Sequence, residues 1–210
     1  MSDRPAPPPT TGHRTADGSI APSYFERLFQ TEADPWGFET SPYEASKYAA
    51  TIGALPRARY RSAFEVGCAN GVLTQRLAER CDHVLAVDVA DAALQRARAR
   101  CAGLDVEVRR MVVPDEWPAA VDGGAQFDLV VVSEVGYYLA PPALARLRER
   151  CDRSVGTGGH LVLVHWTGET DYPLSGDDVH DAFLAAPAWR SIRAGRTADY
   201  RLDVLERAEG

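Results

Sequence analysis

The sequence predicts an α/β protein built on a doubly wound sheet. Three observations carry that expectation. Short apolar, β-branched runs alternate with helix-patterned segments from about residue 60 onward. One run, Leu129-Val-Val-Val132 after Asp128, is apolar throughout, as a central parallel strand covered on both faces must be. A third signal is the passage Ser62-Ala-Phe-Glu-Val66, which leads straight into Gly67-Cys-Ala-Asn-Gly71, a tight turn opening onto a helix.

Met1 to about Ala21 reads as a disordered tail, because Pro5, Pro7, Pro8, Pro9, Gly12 and Gly18 interrupt a stretch with few large apolar residues. The domain is expected over 22–210, starting with a short amphipathic helix over 22–29. Asp34-Pro-Trp-Gly-Phe38 holds too many breakers to be regular. Ser41-Pro-Tyr-Glu44 supplies a cap residue, a proline at the first helical position and an acid at the third, so a helix should run to about residue 55. Residues 22–56 thus form a helical segment ahead of the sheet. Strands are expected over 63–66, 84–87, 106–110, 129–132 and 160–164, with helices over 72–81, 90–102, 141–154 and 177–185. Segments 189–193 and 201–205 look like a closing antiparallel pair.

The chain has 210 residues, 45% of them hydrophobic, enough for one domain with a real core. Its net charge is −7 and its arginines are interspersed with acids, so no basic stripe points to nucleic acid. Cys68, Cys81, Cys101 and Cys151 form no Cys-x-x-Cys pair, which argues against zinc and against a disulfide scaffold, and fits a reducing cytoplasm. No apolar stretch approaches the ~20 residues of a membrane span, and the Pro-rich start lacks an apolar signal core. No metal is signalled.

The chemistry concentrates at the strand tips. Glu65 ends one apolar run and Asp88 ends the next, His83-Val-Leu-Ala-Val-Asp88. A βαβ unit of this kind binds a nucleoside: the glycines admit the ligand to the backbone and the second acid takes ribose hydroxyls. A nicotinamide fingerprint would need Gly-x-Gly-x-x-Gly, but Ala69 and Val72 stand at the second and third positions. Glu65, two residues before Gly67, would also repel a pyrophosphate. It suits a cationic ligand with a free amino group, such as the methionine end of S-adenosylmethionine. Bland readings stand beside these: Glu65 as a plain strand-end acid, and Asp88 as a cap for the next helix.

Together, Glu65-Val-Gly67-Cys-Ala-Asn-Gly71, Asp88, Phe127-Asp-Leu-Val-Val-Val-Ser-Glu134 and Gly158-Gly159-His-Leu-Val-Leu-Val164 resemble class I S-adenosylmethionine-dependent methyltransferases over about residues 22–207. Asp34-Pro-Trp36, Tyr43-Glu-x-x-Lys-Tyr48, Pro114-x-Glu-Trp-Pro118, Ser133-Glu-x-x-Tyr-Tyr138, His165-Trp166 and Asp171-Tyr-Pro-Leu-x-Gly176 resemble, more narrowly, the nodulation protein S family. That resemblance implies a Rossmann-like, seven-stranded sheet, mostly parallel with an antiparallel last strand. It implies S-adenosyl-L-methionine as cofactor and methyl transfer to an amine of an aminosugar, a deacetylated oligosaccharide or another small molecule. An O-methyltransferase of a small natural product and a non-catalytic nucleoside-binding module are the alternatives, and oligomeric state is not given.

Carried over residue by residue, the cofactor contacts fall on Glu65, Gly67, Cys68, Asn70 and Gly71 in the turn. Asp88 and Val89 follow at the second strand, and Ser133 lies at the fourth. The acid that many of these enzymes carry after the third strand is missing from Arg109-Arg-Met-Val-Val113, so adenine recognition falls to backbone around Met111 and Val112. Trp36, Tyr43 and Tyr48 form a lid or simply pack on the sheet, with Lys47 beside them. Glu134 and His165, each after a strand at the ligand edge, are the candidate bases for an amine that must lose a proton before it attacks. Tyr137 and Tyr138 are site or core aromatics. Trp117 stacks on adenine or plugs a core edge, and His180 is structural or on the surface.

Overall fold

A computed structural model of the protein describes residues 10, 12–118 and 127–209. Seven strands form one sheet: β1 (Tyr60–Val66), β2 (Cys81–Asp88), β3 (Val106–Arg110), β4 (Phe127–Ser133), β5 (Val155–Trp166), β6 (Trp189–Arg196) and β7 (Tyr200–Arg207). Their order is β3-β2-β1-β4-β5-β7-β6, and β7 alone runs antiparallel to its neighbours β5 and β6. The chain winds outward from β1 to β3, then returns to place β4 on the other side of β1. A ligand cleft in such sheets opens where that reversal occurs, beyond the carboxyl ends of the strands.

Helices α1 (Pro22–Thr31), α2 (Pro42–Ala54), α3 (Val72–Ala78), α4 (Asp91–Arg100), α5 (Pro141–Ser154) and α6 (Gly176–Leu184) cover the sheet. Alternate residues of each strand point to opposite faces. Phe64, Val66, Val130, Val132, Leu161 and Leu163 pack with Leu144 and Leu147 of α5 and Phe183 of α6. Ala63, Leu129, Val131, Val162 and Val164 pack on the other side with Tyr48 of α2, Leu73 and Leu77 of α3 and Leu94 of α4. Ser41 caps α2 by accepting from Glu44 N–H, as its local sequence predicts. Among the described residues no helix is long and apolar enough to cross a membrane. The four cysteines are free and buried.

Two expectations change. The helix after Gly71 ends at Ala78, not at residue 81, because Cys81 already pairs with Tyr60 as the first residue of β2. The tail expected to stay disordered to Ala21 is folded over residues 12–21, while residues 1–9 and 11 lie outside the described residues. Thr15, Asp17 and Ser19 build a turn around Gly18, which has φ +94°, and an antiparallel bridge joins Arg14 to Ile20. Ile20 N–H then donates to the Tyr138 carbonyl and Ala140 N–H to Ser19 Oγ. Burial of Ile20 and these long-range bonds order a segment whose composition reads as loose.

Candidate functional site

A cavity of about 400 Å³ opens at the carboxyl ends of β1, β2, β3 and β4. Its floor is the β1–α3 turn. Gly67 has φ +78°, and a Cβ there would lie 2.1 Å from Val135 Cγ2, so only glycine lets the end of β4 approach. Glu65, Gly67, Cys68 and Asn70 line the floor. Gly71, expected to contact the cofactor, is not among the residues that line the cavity. It caps α3 at φ +83°, and a Cβ there would lie 2.9 Å from the Ala97 backbone of α4.

Asp88 stands on the wall with Val89. Its Oδ2 accepts from Ala69 N–H at 2.9 Å and its Oδ1 from Ala90 N–H at 3.0 Å. The bland capping role is therefore present, and a carboxylate has about four lone-pair sites, more than these bonds use. Burial raises the Asp88 carboxyl above its usual range against the backbone bonds from Ala90, Ala69 and Val89. Glu65 is buried and accepts from Thr74 Oγ1 at 2.5 Å. Burial, more than the nearby Asp88 charge, lifts its carboxyl to about 7.

Met111, Val112 and Ser133 also reach the cavity. The backbone N–H groups of Met111 and Val112 are engaged within the protein: Met111 N–H donates to the Asp88 carbonyl, and Val112 N–H to Glu116 Oε2 at 2.6 Å. Asp115, two positions beyond Val113, is the acid that lines this wall. Arg146 of α5 reaches it at 3.1 Å and Asp17 at 3.5 Å. Trp117 is a core plug: its ring meets Phe64 edge-on and Nε1 donates to Ser154 Oγ.

Trp36 and Tyr48 line the opposite end, with Phe38. Two buried polar atoms there, Trp36 Nε1 and Asn70 Oδ1, have no hydrogen-bond partner among the described residues. One can only donate and the other only accept. Buried atoms of this kind carry a desolvation cost unless a ligand satisfies them. A methionine-type amino acid, with an acceptor carboxylate and a donor ammonium, carries the complementary groups. Tyr43 is not on the cavity. Its ring packs edge-on against Trp166 and Tyr200 instead.

Glu134 lines the cavity immediately after β4, with φ +58°. Lys47 Nζ donates to its Oε1 at 2.6 Å, and Oε2 accepts from the Tyr137 hydroxyl and from Trp166 N–H at 3.2 Å. Lys47 is itself buried and bridges to Glu44 at 3.0 Å. Tyr138 lines the cavity, whereas Tyr137 is core. His165 is the larger correction. It follows the expected strand, but its ring is fully buried away from the cavity, between Gly136 and His180. Burial first, and then His180, lower its pKa well below the usual value.

Sequence reasoning missed the wall formed by Thr15, Asp17, Ser19 and Ile20 and the aromatics Phe25 and Phe29. The Asp17-Gly18 turn pair is the local signal that marks the first of these.

With this geometry in place, comparison with known proteins decides the family. The model of the family described as Nodulation protein S (NodS) matches residues 24–151. The chain belongs to that family. Nodulation protein S of Rhizobium tropici is 34% identical over 138 residues, 62% of this chain and 54% of the relative. The chain spans about half the length of the first curated nodulation protein S relatives it matches. Among solved structures, a putative methyltransferase from Pseudomonas syringae is 37% identical, covers 79% of this chain and 99% of its own, and superposes with a TM-score of 0.68. The N-methyltransferase NodS from Bradyrhizobium japonicum WM9, in complex with S-adenosyl-L-homocysteine, gives 0.73 at 23% identity, with 89% and 98% covered. At that identity the likeness is one of fold.

Proposed function

We propose that this member of the nodulation protein S family transfers a methyl group from S-adenosyl-L-methionine to an amine of a small-molecule or oligosaccharide acceptor in the cytoplasm. One observation carries the reading. A single cavity joins two acids at the strand tips, Glu65 and Asp88, to an unpartnered buried donor on Trp36 and acceptor on Asn70. Asp88 would hold the ribose hydroxyls. Trp36 and Asn70 would hold the amino-acid end, with Glu65 as its counter-charge. Met111, Val112 and Val135 would flank the base, and Asp115 would be the acid that meets its amino group.

When bound, S-adenosyl-L-methionine supplies a methyl group activated by its sulfonium. The protein's work is then alignment, which provides most of the acceleration in such displacements. Glu134, which lines the same cavity, would stand where the acceptor meets the methyl end. Lys47, Tyr137 and Trp166 N–H each donate to Glu134, so it faces the cavity as an acceptor. An incoming ammonium can hydrogen-bond there and pass its proton to Glu134 Oε1 or Oε2 before attack. His165, buried beneath the turn, does not share that role.

Incubation of the full chain with methyl-labelled S-adenosyl-L-methionine and a panel of deacetylated glucosamine oligomers, aminosugars and phenols tests the proposal. Label on an amine is the expected result. Label on phenols alone would establish the O-methyltransferase alternative, and cofactor binding with no transfer to any acceptor would establish a non-catalytic module.

A further inference from the structure

His165 and His180 are fully buried, and neither touches the cavity. All four of their ring nitrogens are nevertheless engaged. Gly136 N–H approaches His165 Nε2 at 3.1 Å. An amide can only donate, so Nε2 carries the lone pair and Nδ1 the proton. That Nδ1 faces His180 Nε2 at 3.1 Å, which must therefore accept. His180 in turn donates from Nδ1 to Asp203 Oδ2 at 2.7 Å, and Arg201 Nε donates to the same oxygen at 2.9 Å. One backbone N–H thereby fixes the tautomer of two rings, with a buried carboxylate as the terminus.

The other end of this chain is the turn that carries Glu134. Gly136 opens a 3-10 helix, Gly136–Tyr138, two residues after Glu134. Glu134 itself is held in the left-handed region, an uncommon conformation for a residue with a side chain. A Cβ on Gly136 would lie 2.5 Å from Val179 Cγ1 of α6 and 3.1 Å from His165 Nε2. The turn is thus pressed directly onto the histidine chain. Tyr137, the next residue, returns its hydroxyl to Glu134. Strained residues persist where their surroundings over-determine them, and here the surroundings are β5, α6 and β7.

We propose that His165, His180 and Asp203 are positioning residues. They form a relay of hydrogen bonds that locks residues 134–137 and so aims the Glu134 carboxylate into the cavity. This rests on the cavity being the methyl-transfer site. Without the His165 acceptor, Gly136 N–H would be buried without a partner and the turn would lose its anchor. The relay gives β7 and α6, which carry no cavity residue, a part in catalysis.

The test uses the full chain with nitrogen-15-labelled histidine. Two-bond proton–nitrogen correlations at neutral pH read the tautomer of each ring, assigned with His165→Gln and His180→Gln. Two neutral Nδ1–H rings are expected at these positions. An Nε2–H or doubly protonated His165 would overturn the relay. The functional arm compares His165→Leu with His165→Gln, whose amide oxygen can accept from Gly136 N–H. His165→Leu should bind S-adenosyl-L-homocysteine with wild-type affinity, while kcat for labelled methyl transfer to a glucosamine oligomer falls on the order of 10²-fold. His165→Gln should recover most of that loss without a change in KM. Equal losses in the two variants, or wild-type kcat in His165→Leu, would contradict the positioning role. Wild-type protein that fails to bind S-adenosyl-L-homocysteine would sink the cofactor reading instead, and the tautomers would still decide the relay.

Discussion

Glu65 shows how a single residue trades stability for a site. Its carboxyl, lifted to about 7 by burial and by the Asp88 charge, ionises in the unfolded chain near 4.5. Between those values the folded protein binds the extra proton, so stability falls as pH rises through that window and levels off above it. The difference is worth on the order of 3 kcal/mol. Glu65→Gln should therefore unfold at higher denaturant than wild type at pH 8, with the gap closing toward pH 4.5. The same variant should bind S-adenosyl-L-homocysteine more weakly, because the ammonium loses its counter-charge. Wild-type binding near pH 6.5 should release a proton, which calorimetry in buffers of different ionisation enthalpy will register. Lys47 makes the opposite case. It is buried between Glu44 and Glu134, and Lys47→Met would remove the cation that both acids face. Breaking a buried pair from one side typically costs about 3–5 kcal/mol, a loss that chemical denaturation would measure directly. A change below the noise of that measurement would mean that the acids find other partners.

At the scale of elements, the β1–α3 turn and the N-terminal strap make separate demands. Gly67→Ala combines a strained backbone at φ +78° with a Cβ only 2.1 Å from Val135. It should cost roughly 1–3 kcal/mol of stability from the strain alone and reduce cofactor affinity. The strap alters the expected boundary of the fold. Thr15, Asp17, Ser19 and Ile20 are cavity wall, so deletion of residues 1–21 should weaken S-adenosyl-L-homocysteine binding as well as stability. Buried Ile20 alone accounts for roughly 1.5–3 kcal/mol of the latter. Full affinity after that deletion would restore the boundary at Pro22. These elements also show what a sequence displays. The Ser41 cap, the proline that opens α5 and the acid-tipped strands are local signals, and they lie where local chemistry put them. The strap is held by Tyr138, Ala140 and Asp171, more than a hundred residues away in the chain, and composition alone cannot register such partners. His165 follows the same logic. Its position after an apolar run marks the sheet edge, but its direction depends on pairing with Arg201 and on α6 packing over it.

For the whole molecule, the reversal of winding between β1 and β4 concentrates function at one edge. The carboxyl ends of four strands deliver Glu65, Asp88, Met111 and Glu134 to one cavity, while α1, α2 and the strap cover it from outside. Any single substitution tests this arrangement imperfectly. Asp88 also holds the Ala69 and Ala90 N–H groups, so replacing it disturbs the floor as well as any ribose contact. A cycle that changes the ligand and the protein together separates the two effects. Wild type and Asp88→Ala should each be titrated calorimetrically with S-adenosyl-L-homocysteine and with its 2′,3′-dideoxy analogue. One site per chain is expected, with a coupling between Asp88 and the two hydroxyls on the order of 2–3 kcal/mol, as charged hydrogen bonds in a buried site provide. Coupling indistinguishable from zero, or no binding of S-adenosyl-L-homocysteine by the wild-type chain, would contradict that expectation.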